Sequence, residues 1–517
     1  MARNRLLQRR LLASLASGSA GATSAPAAIS ATGLVTRWTA GFSTLTTSTD
    51  AQGRPIATQI NDMIAAAHAI SSGTEHPLVK TDLQGRRYLQ FNALSWAAFT
   101  TAYLISFRSL CTYFVGRPHR PPAGGAGVIN ILTVNDYSTY AHMNIAKSTD
   151  TPFLRMVNGN TASAVGSEKV VAGNQMQVLV TRSTTAIKCW VNENSVAPAG
   201  AASNVPPTQT TAGGQIGAFG GIPTGGFDLY EIALYTSGYA DADVQGSVPG
   251  DPVLGGNIGV LMDYYNIAPI ERSIELGPDS ITFGFPLDNA GNNGTVPSGD
   301  CLGVTLARLM ADNNVRLVTT AVTGSTAGDM TVRRDSAFSM FSAAGGFVAG
   351  WQNDVHIMVG TNDQHQVIGT GLAPVWTTAG NSVARGDEAM DRVNGIIALA
   401  NTPLGAAGYL QRGANKVYYS TVIARSSGGM LAIDQMRLRM MDPAFLVSCD
   451  ADAGGTYPGK VVVIPLHQWT VSGATIFDTA TNALDLTYYQ TDFLHPRAAG
   501  TYQFAKCILP DLGLTAA

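Results

Sequence analysis

The hydrophobic period of this chain changes near Pro249-Gly-Asp-Pro252, and that change limits the folds open to it. Upstream, short runs rich in Val, Ile, Thr, Tyr and Phe fall at 87–91, 103–107, 127–134, 177–181, 186–192 and 227–235, separated by clusters of Gly, Pro, Asn and Ser. Each run has the length of a strand, and the turn clusters recur at fairly regular intervals, which predicts an antiparallel β-sandwich of jelly-roll type. Downstream, uninterrupted apolar runs at 273–276, 315–322, 355–359, 416–423 and 460–466 alternate with helical periodicity at 301–310, 384–400 and 497–509. Strands without polar alternation are covered on both faces, so this half predicts a three-layer α/β unit around a parallel sheet. At 517 residues the chain is long enough for both units.

Ahead of the strand runs, Ile56, Ile60, Met63, Ile64, Ala67 and Ile70 recur at helical spacing and predict one amphipathic helix over 56–70. Before it, Arg3, Arg5, Arg9 and Arg10 lead Leu11, Leu12 and Leu15, which imitates a secretory signal except that Ser14 and Ser17 break the apolar part. Arm and helix, residues 1–76, are read as a segment that docks on a larger assembly. The jelly roll is expected over 77–248 and the α/β unit over 253–517.

Composition removes several classes of function. Charged residues make up 13% of the chain and the net charge is −3, which leaves no basic field to neutralise phosphates, so no nucleic-acid partner is expected. No run of 18 apolar residues predicts a membrane-spanning helix. Cys111, Cys189, Cys301, Cys449 and Cys507 are odd in number and scattered, without a C-x-x-C pair, and are expected as buried free thiols. There is no P-loop or dinucleotide fingerprint, and the acidic loops 288–300 and 450–455 lack EF-hand spacing. Neither cofactor nor metal is therefore expected.

Ligand sites in open parallel sheets lie beyond the carboxyl ends of the strands, and four segments there carry chemistry. Ser280 leaves a strand through Gly277-Pro278-Asp279, a turn that can expose its hydroxyl and present its own N–H to an oxyanion; a turn serine that only caps the next segment would have the same sequence. Gly324, after the second run, can aim its N–H into a cleft or serve as an ordinary turn glycine. Asn362, in Gly360-Thr-Asn-Asp363, offers an uncharged amide donor at a strand end, where Asn also favours turns. Asp492 stands three residues before His495 and can hold the imidazole with its other nitrogen toward a nucleophile.

In order, Pro278-Asp-Ser-Ile-Thr-Phe-Gly284, Gly324, Gly360-Thr-Asn-Asp363 and Asp492-Phe-Leu-His495 resemble, block for block, the SGNH (GDSL-type) esterases and lipases, a resemblance running from Pro252 to the C-terminus. It implies a flavodoxin-like α/β fold with Ser280 as nucleophile, His495 as general base and then acid, and Asp492 orienting the imidazole. The oxyanion hole would be formed by the N–H groups of Ser280 and Gly324 and the amide of Asn362. The sequence departs from the family at Pro278, which stands where Gly precedes Asp-Ser and which lacks an N–H and fixes φ. In the first half, 87–92, 177–194 and 227–235, followed by Asp241 and Val244, resemble the laminin-G-like, concanavalin-type jelly roll, whose members bind glycans or act as spacers.

The succession of arm, jelly roll and terminal hydrolase is similar to phage receptor-binding proteins. These resemblances imply a carbohydrate O-deacetylase that acts on a surface polysaccharide, extracellularly or at the surface of a phage virion, with a homotrimer as the expected assembly. The alternative is a structural or adhesive virion protein (tail fibre, spike or capsid decoration) whose SGNH domain binds glycan with little or no catalysis.

Overall fold

The computed structural model describes residues 25–517 except, chiefly, 120–127, 135–140, 159–172, 197–207, 236–255, 285–300, most of 322–338, 377–408 and 442–458. The basic arm, the helix expected over 384–400, both acidic loops, Cys449 and Gly324 lie outside the described residues. The other four cysteines are buried and free.

The N-terminal half is antiparallel and β-rich, with sixteen strands joined in one hydrogen-bonded network. At its centre Phe227–Tyr235 pairs with Cys111–Pro118, Arg87–Phe91 and Leu34–Thr39. All nine of its residues are buried, because both faces are covered. Leu229, Ile232 and Leu234 join Phe114, Trp38 and Phe91 in one core. Tyr230, Ala233 and Tyr235 join Tyr113 and Val115 against Ile258, Leu261 and Met262 of helix α1 (Gly256–Tyr264) in another. A bulge between Leu229 and Glu231 moves the two-residue alternation on by one, which is why Leu229 and Ile232 share a face. Removing a side chain such as Phe114 from water contributes roughly 1.5–3 kcal/mol.

Where the spacing predicts a helix over 56–70, the chain forms strands Pro55–Asn61 and Ala69–Ser72, which pair with each other. Ile56 and Ile60 are four residues apart, a separation that suits one face of a strand as well as one face of a helix. Met63 and Ile64 fall beyond the strand, and Ile64 is 49% exposed. The strands Leu34–Thr39, Leu45–Thr49, Pro55–Asn61 and Ala69–Ser72, which fall within the segment 1–76 expected to dock elsewhere, thus join the β network.

Two hairpin turns here are copies of one another, Thr49-Asp-Ala-Gln-Gly-Arg54 and Thr81-Asp-Leu-Gln-Gly-Arg86. In each, the Asp carboxylate accepts the N–H groups two and four residues on and the Nε–H of the Arg, and the Gly takes a left-handed φ, 75° at Gly53 and 79° at Gly85. The repeat is legible as T-D-x-Q-G-R, a signal that hydrophobic period does not register.

The C-terminal half contains a five-stranded parallel sheet of β1 (Arg272–Pro278), β2 (Val315–Thr319), β3 (Gln352–Met358), β4 (Lys416–Ser420) and β5 (Val461–Ile464), in the order 2-1-3-4-5. Helices α3 (Leu302–Leu309) and α4 (Ala498–Asp511) pack on one face through Leu302, Leu306, Phe504 and Ile508 against Ile274, Leu276 and Leu317. On the other face Glu275 is buried and accepts hydrogen bonds from Ser339 Oγ, the Met340 N–H and Thr320 Oγ1. Burial outweighs these bonds and pushes its carboxyl up to about 8. In this order the connections leave β1 and β3 in opposite directions, so a crevice opens beyond their carboxyl ends.

The two halves meet through buried charge. Arg308 of α3 makes a two-pronged contact to Asp228, Nε to Oδ2 at 2.9 Å and Nη2 to Oδ1 at 2.7 Å. His119 Nε2 lies 3.2 Å from the same carboxylate, and the Arg117 guanidinium is stacked over the Tyr230 ring at 5.2 Å. Asn174 bridges the halves as well, donating to the Pro118 carbonyl and accepting from Thr319 Oγ1 of β2.

Candidate active site

The chain leaves β1 at Pro278, the last residue of that strand to pair with β3. A proline at a strand terminus is tolerated because the ladder ends there. Asp279 is extended, at φ −91° and ψ 177°, and caps the short helix α2 (Ser280–Phe283) by accepting the Thr282 N–H at 3.0 Å. Gly284 closes the turn in the left-handed region at φ 78°, with its N–H returned to the carbonyls of Ile281 and Ser280. Ser280 is therefore the first helical residue, where a backbone N–H has no acceptor inside the helix.

His495 reaches Ser280 from a loop clasped onto the start of α4. The Gln490 N–H donates to the His495 carbonyl at 2.9 Å and the Arg497 N–H to the Tyr488 carbonyl at 2.7 Å. Gly500 makes this clasp fit: a Cβ there would lie 2.3 Å from the Tyr488 carbonyl oxygen and 2.9 Å from Pro496 Cβ. Within the loop Asp492 Oδ1 accepts the N–H groups of Leu494 and His495, each at 3.0 Å. The carboxylate is thereby turned to receive the ring, and Oδ2 lies 2.6 Å from His495 Nδ1. With Nδ1–H donated to Asp492, Nε2 is left as the acceptor, and it stands 2.8 Å from Ser280 Oγ. Ser280 and His495 are 4% and 7% exposed, so this bond is shielded from bulk water.

The electrostatics suit a base that gains charge during reaction. Partial burial would raise the Asp492 carboxyl, but its hydrogen bonds to His495 and Leu494 outweigh burial and hold it below the usual carboxylate range. It is ionised when the imidazole takes a proton. Asp279, buried beside the same ring, is pushed up to about 6 by desolvation, against the opposing effects of the Thr282 cap and the His495 charge. Because Asn accepts the same cap bond, Asp279→Asn is expected to keep the wild-type melting temperature, whereas Asp279→Ala loses about 1 kcal/mol in urea unfolding.

Of the sequence-selected residues, the structure brings Ser280, Asp492 and His495 into one hydrogen-bonded chain. Asn362 follows β3, next to β1 in the sheet, and donates one amide hydrogen to the Ser325 carbonyl at 2.9 Å, while its second amide hydrogen has no acceptor among the described residues. Gly324 cannot be placed among the described residues. Asp279 is the residue that motif reading passed over, although its place as a helix cap before Ser280-Ile-Thr follows the ordinary preference for Asp at that position. Among the described residues no cluster of His, Cys, Asp and Glu has the makings of a metal site. No helix of the described residues is long and apolar enough to cross a membrane.

No family model matches the chain, and no curated protein matches it. Among solved structures it is similar to Trypanosoma rangeli sialidase, at 12% identity and a TM-score of 0.30, over 43% of this chain and 34% of that one. It is similar also to domain 4 of a GH43 extracellular arabinanase from Geobacillus stearothermophilus, solved with arabinotriose, at 14% identity and a TM-score of 0.29, over 36% of this chain and 90% of that one. A third similarity is to the binding domain of Paraclostridial Mosquitocidal Protein 1, at 9% identity and a TM-score of 0.28, over 41% of this chain and 51% of that one. The chain spans about a third of the length of the sialidase. TM-scores this low define no common fold, and the function rests on the site's own geometry.

Proposed function

We propose that the protein is a serine-dependent carboxylic ester hydrolase of SGNH type whose substrate is an O-acetylated polysaccharide. The observation that carries the reading is the chain Ser280 Oγ, His495 Nε2, His495 Nδ1, Asp492 Oδ2, with steps of 2.8 Å and 2.6 Å, beyond the carboxyl end of β1. Ser280 Oγ attacks the ester carbonyl carbon while His495 Nε2 takes its proton, and Asp492 stabilises the imidazolium without being protonated. The Ser280 N–H and the second amide hydrogen of Asn362 receive the oxyanion. Collapse expels the sugar alkoxide, which takes the proton from His495 and leaves an acyl-serine. Water then attacks the acyl carbon with His495 again as base, releasing acetate and restoring the serine.

An activated serine is tested by a fluorophosphonate probe, which is expected to label Ser280 alone, as read by peptide mass spectrometry; an unlabelled protein would sink the proposal. Asn362→Ala is expected to slow turnover of p-nitrophenyl acetate on the order of a hundredfold, since one oxyanion donor contributes about 2.7–4 kcal/mol. Acetyl esters are expected to turn over faster than octanoyl esters. The same reading places the protein on the surface of a phage virion, where a host polysaccharide is met, and mass spectrometry of purified particles checks that location.

A further inference from the structure

A pocket of about 130 Å³ opens where helix α1 ends against the β half, lined by Phe42, Arg86, Arg87, Tyr230, Tyr264 and Tyr265. It lies at the junction of the two halves, a common place for ligand sites, and combines aromatic walls with a few polar groups as such sites do. Tyr264 and Tyr265 stand edge to face, with ring centroids 4.9 Å apart.

The two arginines in its wall differ. Arg86 is matched: it donates to the Asp82 carboxylate at 2.8 Å and to the Tyr265 carbonyl at 2.8 Å. Arg87 donates to backbone carbonyls, those of Ala40, Gly41 and Ser43, and no acid among the described residues is paired with it. Burial lowers its pKa with no neighbouring carboxylate to oppose the shift. These bonds engage Nε and Nη2 and leave the Nη1 hydrogens, so a half-buried guanidinium beside aromatic faces, with no acid among the described residues to balance it, is matched by a carboxylate that Nη1 can reach with a charge-assisted hydrogen bond. The apolar face of the ring that bears the carboxylate would lie on the tyrosines. The space admits several waters, and hence one edge of a sugar.

We infer that this pocket binds a carboxylate-bearing sugar residue of an acidic polysaccharide, with Arg87 taking the carboxylate and Tyr264 and Tyr265 taking the ring. It deepens the glycan part of the proposed function but does not require Ser280 to be catalytic. Gly41, which also lines the pocket, allows a clean test, because a Cβ there meets nothing within 4 Å and its φ is not left-handed, so a larger side chain is accepted at the pocket's rim without strain.

Isothermal titration of the full chain with trigalacturonic acid and with galactotriose, at low salt, is the experiment. The acidic trisaccharide is expected to bind at least tenfold more tightly than the neutral one. Gly41→Leu, at an unchanged melting temperature, and Arg87→Gln are each expected to weaken it at least tenfold, while Ser280→Ala leaves it unchanged. Equal affinity for the two sugars, no binding by the wild-type chain, or full affinity in Gly41→Leu would overturn the inference. Hydrolysis of p-nitrophenyl acetate, read on the same samples, reports separately on the esterase.

Discussion

Ser280→Ala is expected to reduce hydrolysis of p-nitrophenyl acetate by a factor on the order of 10⁶, to a residue left by binding and the oxyanion donors. The substitution deletes one oxygen from a small side chain that ends in the His495 bond, so the fold is not at risk. The melting temperature of the variant should match that of the wild type. His495→Ala is expected to cost about as much, and the double variant no more than either, because nucleophile and base act as a unit. Asp492→Asn should lose on the order of 10⁴-fold, since an amide can present its NH₂ group to Nδ1 and fix the wrong tautomer. A Ser280→Ala protein that retained full activity would show that the hydrogen-bonded chain at β1 is structural and that the chemistry lies elsewhere.

The Asp492–His495 half of the site was legible in the sequence because it is local. Asp492 and His495 are three residues apart, so their spacing alone pairs them, whereas Ser280, two residues beyond a strand and 215 residues before His495, is joined to them in the sequence only through the resemblance to SGNH hydrolases. The strand runs of both halves were legible because they too are local, and Phe227–Tyr235 carries the bounds read from its period. What stayed hidden depends on contacts distant in sequence. Ile56 and Ile60 suit either period, and only pairing of Pro55–Asn61 with Ala69–Ser72 and Leu78–Thr81 decides for a strand. Asp228 and Glu231 look like the polar positions of a half-exposed strand. They are buried because Arg308 comes from 80 residues away and Arg37 from 194, a pairing that no window of sequence contains. The second arginine of Arg86-Arg87 was invisible as a binding group for the same reason: its neighbours are carbonyls at 40–43 and the end of α1.

Arg308→Met is expected to be the most destabilising of the substitutions considered. Asp228 is buried completely, and its carboxylate receives both prongs of the Arg308 guanidinium together with His119. Burial alone would raise the pKa of this carboxyl, but the Arg308 charge and the His119 hydrogen bond outweigh it and hold the group well below the usual carboxylate range. Removing one partner of a buried pair costs about 3–5 kcal/mol, most of it from the charge left behind. Urea unfolding at pH 7 should show that loss, and Asp228→Asn combined with Arg308→Met should recover part of it, because the stranded carboxylate has gone. The pH dependence has a definite sign. A carboxyl whose folded pKa is depressed stabilises the protein above its unfolded value of about 3.9 and loses that contribution as the pH falls through the folded value. The gap in stability between wild type and Arg308→Met should therefore be widest near neutrality and narrow progressively below about pH 5. Since Arg308 is engaged with Asp228 while Ser280 Oγ is engaged with His495, kcat at 25 °C should stay within about twofold of wild type while the variant remains folded. A gap that did not change with pH would mean that Arg308 stabilises the junction by packing over the Tyr88 ring, 5.6 Å away, and not by its charge.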